Sequence, residues 1–111
     1  MRVPLPPDHL THAWYKFYAF VQAEALSDGW SRDRILQEIA ALGYPALSGS
    51  CSEIYLEKCF QDAGLAPAER LPVARELGET SLMFLVHPTI SSEQMVAYSE
   101  AVRSVVKQAC R

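Results

Sequence analysis

At 111 residues, with 50% of them hydrophobic and 21% charged, the chain is the size and composition of one soluble globular domain. A formal net charge of −3, with acidic and basic residues interspersed, argues against the basic face of a nucleic-acid binder. No apolar stretch nears the roughly 20 residues that span a bilayer, and the opening MRVPLPPDHLTHAW lacks the apolar stretch of an export signal.

Residues 1–11 are proline-rich and polar. Pro4, Pro6 and Pro7 fix φ and remove backbone donors, so the segment reads as an extended connection rather than an element of its own. Trp14 to Gln22 (WYKFYAFVQ) is the strongest strand signal, aromatic and free of Gly and Pro. Alternation places Tyr15, Phe17, Ala19 and Val21 on one face, with Trp14, Lys16, Tyr18, Phe20 and Gln22 on the other. Both faces are largely apolar, so the strand calls for cover on both sides.

After a turn at Asp28-Gly29, Ser31 caps a helix that runs to about Leu42 and stops at Gly43. Ile35, Leu36, Ile39 and Leu42 form its apolar stripe. Tyr44 to Ser48 reads as a short second strand. The small, polar SGSCSE loop comes next, with Ser52 expected to cap a helix ending near Gly64 and burying Leu56 and Phe60. Pro72 opens a third helix, PVARELGETS. Leu82 to His87 reads as a buried strand ended by Pro88. Ser91 and Gln94 make a capping box for the last helix, with Ile90 and Met95 at the staple positions. Its expected buried face carries Met95, Tyr98, Val102, Val105, Val106 and Ala109. The order β-α-β-α-α-β-α predicts an α/β (α+β) two-layer sandwich, about three strands covered by about four helices. The pattern leaves the pairing direction open.

Several chemistries compete with plainer readings. Three cysteines, Cys51, Cys59 and Cys110, form an odd count at spacings that match no zinc or redox motif, and they read as reduced thiols of a cytoplasmic protein. Cys51 precedes an expected helix start, where a thiolate nucleophile would gain from the dipole, with Glu53 and His87 as the available helpers. A small residue in a tight loop is the weightier reading. His9 and His12 have no carboxylate or thiol at ligand spacing, which disfavours a metal site. The SGSCSE loop, between a strand and a helix, has the shape of an anion cradle but lacks a Walker lysine. It is nonetheless the element best suited to face a ligand.

Three stretches together resemble the C-terminal small domain of the DegT/DnrJ/StrS family of sugar aminotransferases. They are HAWYKFYAFV (His12 to Val21), SRDRILQEIAALGYPALSGSCSEIYLEKCF (Ser31 to Phe60) and LPVARELGETSLMFLVHPTISSEQM (Leu71 to Met95). The resemblance covers nearly the whole chain. It implies a type I aminotransferase small domain at residues 12–111, joined through a linker at 1–11 to a large N-terminal domain, in a homodimer. Such an enzyme carries glutamate's amino group on pyridoxal phosphate and passes it to a nucleotide-linked keto-sugar for polysaccharide or glycoconjugate synthesis. The Schiff-base lysine lies in the large domain, so the resemblance implies no catalytic lysine, no bound cofactor and no turnover for this stretch alone. Ser48, Ser50, Cys51, Ser52, Glu53 and Tyr55 are implied as lining the substrate mouth. Where relatives carry a His-Tyr pair near the sugar, this chain has Gly49 and Ser50, which implies a subgroup with its own substrate. A free-standing nucleotide-sugar-binding or protein-interaction module is the alternative.

Overall fold

The aromatic run makes a shorter strand than its composition suggests, because Trp14 turns away at its start. In the computed structural model, which describes all 111 residues, Trp14 has φ of 36°. That left-handed conformation is strained for a bulky side chain, and its amide donates to His12 Nδ1 at 2.9 Å. Strand β1 is therefore Lys16–Phe20, followed by a 3-10 turn at Ala23–Ala25. Tyr15, expected on one face with Phe17, Ala19 and Val21, is left 84% exposed.

Helix α1 spans Arg32–Ala41, and the Ser31 hydroxyl accepts from the Arg34 amide at 3.1 Å. Gly43, at φ 86°, ends it as expected. Strand β2 is only Ala46–Leu47. Helix α2 (Lys58–Asp62) is short, α3 is Pro72–Thr80, β3 is Ser81–Leu85, and α4 is Ser92–Ala109. The Ser91/Gln94 capping box is formed in both directions.

The sheet order is β1-β3-β2, with both pairings antiparallel. Phe17 faces Phe84 and Ala19 faces Leu82, so these four share one side. Helices α1 and α4 cover that side with Ile35, Ile39, Tyr98 and Val105. Strand β3, paired on both edges, buries Ser81 through Phe84. Tyr98 anchors α4: its hydroxyl donates to the Pro45 carbonyl, and its ring stacks on Tyr44 at 5.2 Å. The result is the three-stranded, four-helix arrangement expected.

Three details differ. Ser52 caps no helix; a 3-10 turn at Ile54–Leu56 intervenes, α2 starts at Lys58, and Leu56 is 43% exposed. The buried stripe of α4 is Tyr98, Ala101, Val105 and Ala109; Met95 is 40% exposed. That spacing keeps to the i, i+3, i+4 rows of a straight helix, and small Ala101 permits close approach. His87 lies beyond the end of β3, in the turn before α4, exposed and bonded through Nδ1 to Thr89 Oγ1 at 2.7 Å. The opening residues are also placed: Arg2 forms an antiparallel bridge with Phe20 along the free edge of β1.

The domain is more open than its mass predicts. Its surface is 7793 Å² for 12.4 kDa, against about 6,100 Å² for a compact monomer of that mass. Its radius of gyration is 16.2 Å, against about 13 Å for a compact domain of this length. Leu5, Leu10, Ile54, Leu65, Val73 and Val96 are each more than half exposed.

Candidate functional site

The loop from Ser48 to Glu57 leaves β2 and lies on the side of the sheet away from α1 and α4. Gly49 makes its first turn at φ 87°. A Cβ there would sit 3.0 Å from Ser81 Oγ and 3.1 Å from a Tyr18 ring carbon, so glycine lets the loop lie flat on the strands. The buried Ser81 hydroxyl donates to the Ser48 carbonyl. Next, the Ser50 and Tyr18 hydroxyls share a hydrogen bond of 2.9 Å. Ser52 then packs over Gly78 of α3, whose missing side chain makes the space.

A second set of contacts holds the far limb. Arg70 grips Glu53 with two prongs, Nε to Oε1 at 2.9 Å and a terminal nitrogen to Oε2. The Tyr55 hydroxyl donates to Glu53 Oε1 at 2.7 Å and accepts from the Leu71 amide at 3.0 Å. The Arg70 hydrogen bond, then that of Tyr55, lowers the Glu53 pKa from 4.5 to about 2. Desolvation and the Glu53 carboxylate raise that of Tyr55. Where the sequence led to an α-helix from Ser52, the chain so bonded makes a 3-10 turn at Ile54–Leu56.

The six residues implied by the resemblance thus divide. Glu53 and Tyr55 are engaged within the domain, Ser52 sits against α3, and Ser48 contributes its carbonyl. Ser50 and Cys51 remain on the exposed rim, with Cys51 Sγ 3.8 Å from Glu57 Oε1. That arrangement does not favour a cysteine nucleophile: Glu53 is held by Arg70, His87 by Thr89, and α2 begins beyond reach of a dipole argument.

Ser50 also lines a groove of about 360 Å³ together with Pro4, His12, Trp14, Tyr15, Lys16 and Tyr18. The Lys16 ammonium lies 5.3 Å from the Tyr15 ring centre. Cation, hydroxyls and aromatic walls in one concavity suit an anionic, ring-bearing ligand. Strand alternation had set Lys16 and Tyr18 on one face, but nothing in the sequence tied them to Ser50. Trp14 also borders a second, apolar groove of about 430 Å³, walled by Val3, Phe17, Leu85, Met95 and Tyr98 among others.

No cluster of three His, Cys, Asp or Glu stands ready for a metal ion. A pyridoxal phosphate site needs a lysine in a cavity and a carboxylate for the ring nitrogen. Lys58 is tied to Asp62 at the surface, Lys107 is exposed on α4, and the groove that holds Lys16 is lined by no carboxylate. The residues of this chain do not fit that group.

Comparison with known proteins gives the geometry a context. An aminotransferase from Psychrobacter cryohalolentis matches at 54% sequence identity and a TM-score of 0.85, over 89% of this chain and 25% of its own. A DegT DnrJ EryC1 StrS aminotransferase from Brucella abortus matches at 21% identity and 0.70, over 93% of this chain and 25% of its own. The aminotransferase TlmJ from Streptoalloteichus hindustanus matches at 19% and 0.73, over 96% and 26%. No protein-family model matches, nor does any curated protein. The fold is that of an aminotransferase small domain. More particularly, the chain is a structural match to a small-domain portion of the DegT/DnrJ/EryC1/StrS aminotransferases, spanning about a quarter of their length.

Proposed function

We propose that this chain is the small domain of a pyridoxal-phosphate-dependent aminotransferase that moves glutamate's amino group onto a nucleotide-linked keto-sugar. The observation that carries the reading is the 54% identity with an aminotransferase over 89% of the chain. Pyridoxal phosphate supplies the amino-group relay, and a large domain preceding residue 12 holds it. Residues 1–11 serve as the connection to that domain. The apolar groove beside Trp14 and Leu85 takes up its surface, which accounts for the excess exposed area.

This chain's own part is to bind and orient the sugar. Ser50 and Tyr18 present hydroxyls to sugar oxygens, Lys16 faces the phosphates, and the rings of Trp14 and Tyr15 give flat walls for stacking. The enzyme works in the cytoplasm, which suits three free thiols, and as a homodimer. No helix is long and apolar enough to cross a membrane.

The test is turnover by the domain joined to the polypeptide that precedes it, with glutamate and a panel of nucleotide-linked keto-sugars. Formation of an amino-sugar is expected. Failure of every acceptor, alongside binding of such sugars by the 111-residue chain alone, would favour a free-standing module.

A further inference from the structure

We infer that Arg70 is a positioning residue: its two-pronged hold on Glu53 presets the loop that brings Ser50 to the groove. This rests on the reading that the groove accepts a nucleotide-linked sugar.

Polar contacts, not apolar packing, fix the loop. Ser48, Gly49, Ser50, Cys51 and Ser52 are small and polar or flexible, and none belongs to the hydrophobic core. A segment with few buried apolar contacts opens locally at low cost, and an open loop would scatter the groups it presents to a ligand. What replaces a core is a splint. Helix α3 touches the loop near both of its own ends: Arg70 and Leu71 hold Glu53 and Tyr55 just before its start, while Gly78 and Ser81 meet Ser52 and Ser48 near its finish. Arg32 of α1 secures the splint, donating to the carbonyls of Gly78 and Ser81 at 3.2 and 3.1 Å.

The Arg70–Glu53 pair differs in kind from the other ion pairs. Lys58–Asp62, Arg34–Glu38 and Arg75–Glu79 each join residues four apart on one helix, with both side chains more than 40% exposed. Such pairs add little. Arg111–Asp28 spans the sequence, but the Asp28 side chain is fully exposed. Glu53 is only 10% exposed, and it accepts from both Arg70 nitrogens and from Tyr55. A fork-on-carboxylate geometry fixes direction as well as distance, which a lysine's point charge cannot reproduce.

The experiment uses the full-length protein that contains this domain, in wild-type, Arg70→Ala and Arg70→Lys forms. Backbone amide exchange at Leu56, Glu57 and Leu71, whose amides bond to the Glu53 carbonyl, the Ile54 carbonyl and the Tyr55 hydroxyl, reports the loop directly, without reference to activity. Steady-state kinetics then separate KM for the nucleotide-sugar from KM for the amino donor. Arg70→Ala is expected to speed exchange in the loop at least about tenfold. It should also raise KM for the sugar about tenfold, with KM for the donor within about twofold of wild type. Arg70→Lys should fall between. If Arg70→Ala does not fold, Glu53→Gln, which keeps the volume and loses the charge, gives the same two readouts.

Unchanged exchange at Leu56, Glu57 and Leu71, or equal rises in both KM values, overturns the inference. So does Arg70→Lys behaving as wild type in both measurements. Should wild-type protein turn over no nucleotide-sugar while exchange still rises in Arg70→Ala, the clamp stands and the substrate reading falls.

Discussion

Glu53 sits on a polar surface loop, yet its side chain is 10% exposed and its carboxylate receives three hydrogen bonds. Those donors favour the charged form, which is why its pKa drops to about 2. The depression sets the sign of the pH dependence. The unfolded chain takes up the proton first, near 4.5, so the contribution is complete above that pH and fades as pH falls towards about 2. Denaturation of wild type and Glu53→Gln at pH 7 and pH 3 checks this: the gap between them should shrink in acid. Gly49→Ala must adopt φ near 87° and also press its methyl against Ser81 Oγ, a hydroxyl already committed to Ser48. Gly43→Ala meets the same backbone strain at φ 86° but finds open space. Loss of about 1–2 kcal/mol is expected for Gly43→Ala from the left-handed backbone alone, and a larger loss for Gly49→Ala. Equal losses in chemical denaturation would mean that the loop does not lie against Ser81.

Among the elements, those with a local cause were legible and those with a distant cause were not. Ser31 and the Ser91/Gln94 pair satisfy amides within three residues, so α1 and α4 could be placed from the sequence. Pro72 set the start of α3 for the same local reason. By contrast, the helix expected after Ser52 failed because Glu53 is bound by Arg70, a residue 17 positions away. No periodicity encodes such a contact. The expectation that the loop faces a ligand came from its small polar residues. Its partners Lys16, Tyr18 and Arg70 emerge only when the sheet and α3 are assembled. The capping box itself is testable. Ser91→Ala removes the acceptor for the Gln94 amide, bonded at 3.2 Å, and should cost about 1 kcal/mol. Loss of α4 would strip Tyr98, Val105 and Ala109 from the core, so circular dichroism and denaturation should report one shared transition.

At the level of the whole molecule, the surface exceeds that of a compact monomer by roughly a quarter, more than a single standard interface hides on one partner, about 800 Å². Exposed apolar residues occur on both the opening segment and the groove beside it, where Leu85 is 40% exposed and Met95 likewise. If that groove receives the proposed large domain, a charge placed in it should be nearly silent in this chain alone and costly in a longer protein that includes that domain. Met95→Glu provides the contrast, since Met95 lines the groove, is 40% exposed and lies outside the buried cluster. In the 111-residue chain the change should stay within about 0.5 kcal/mol, as for most surface substitutions. Joined to the large domain, the same carboxylate would be desolvated without a partner, and a loss of about 1–3 kcal/mol is expected. Denaturation midpoints of both forms, with and without the substitution, measure the difference. An equal effect in the two would show that the groove stays open to water and that the domain docks through another face.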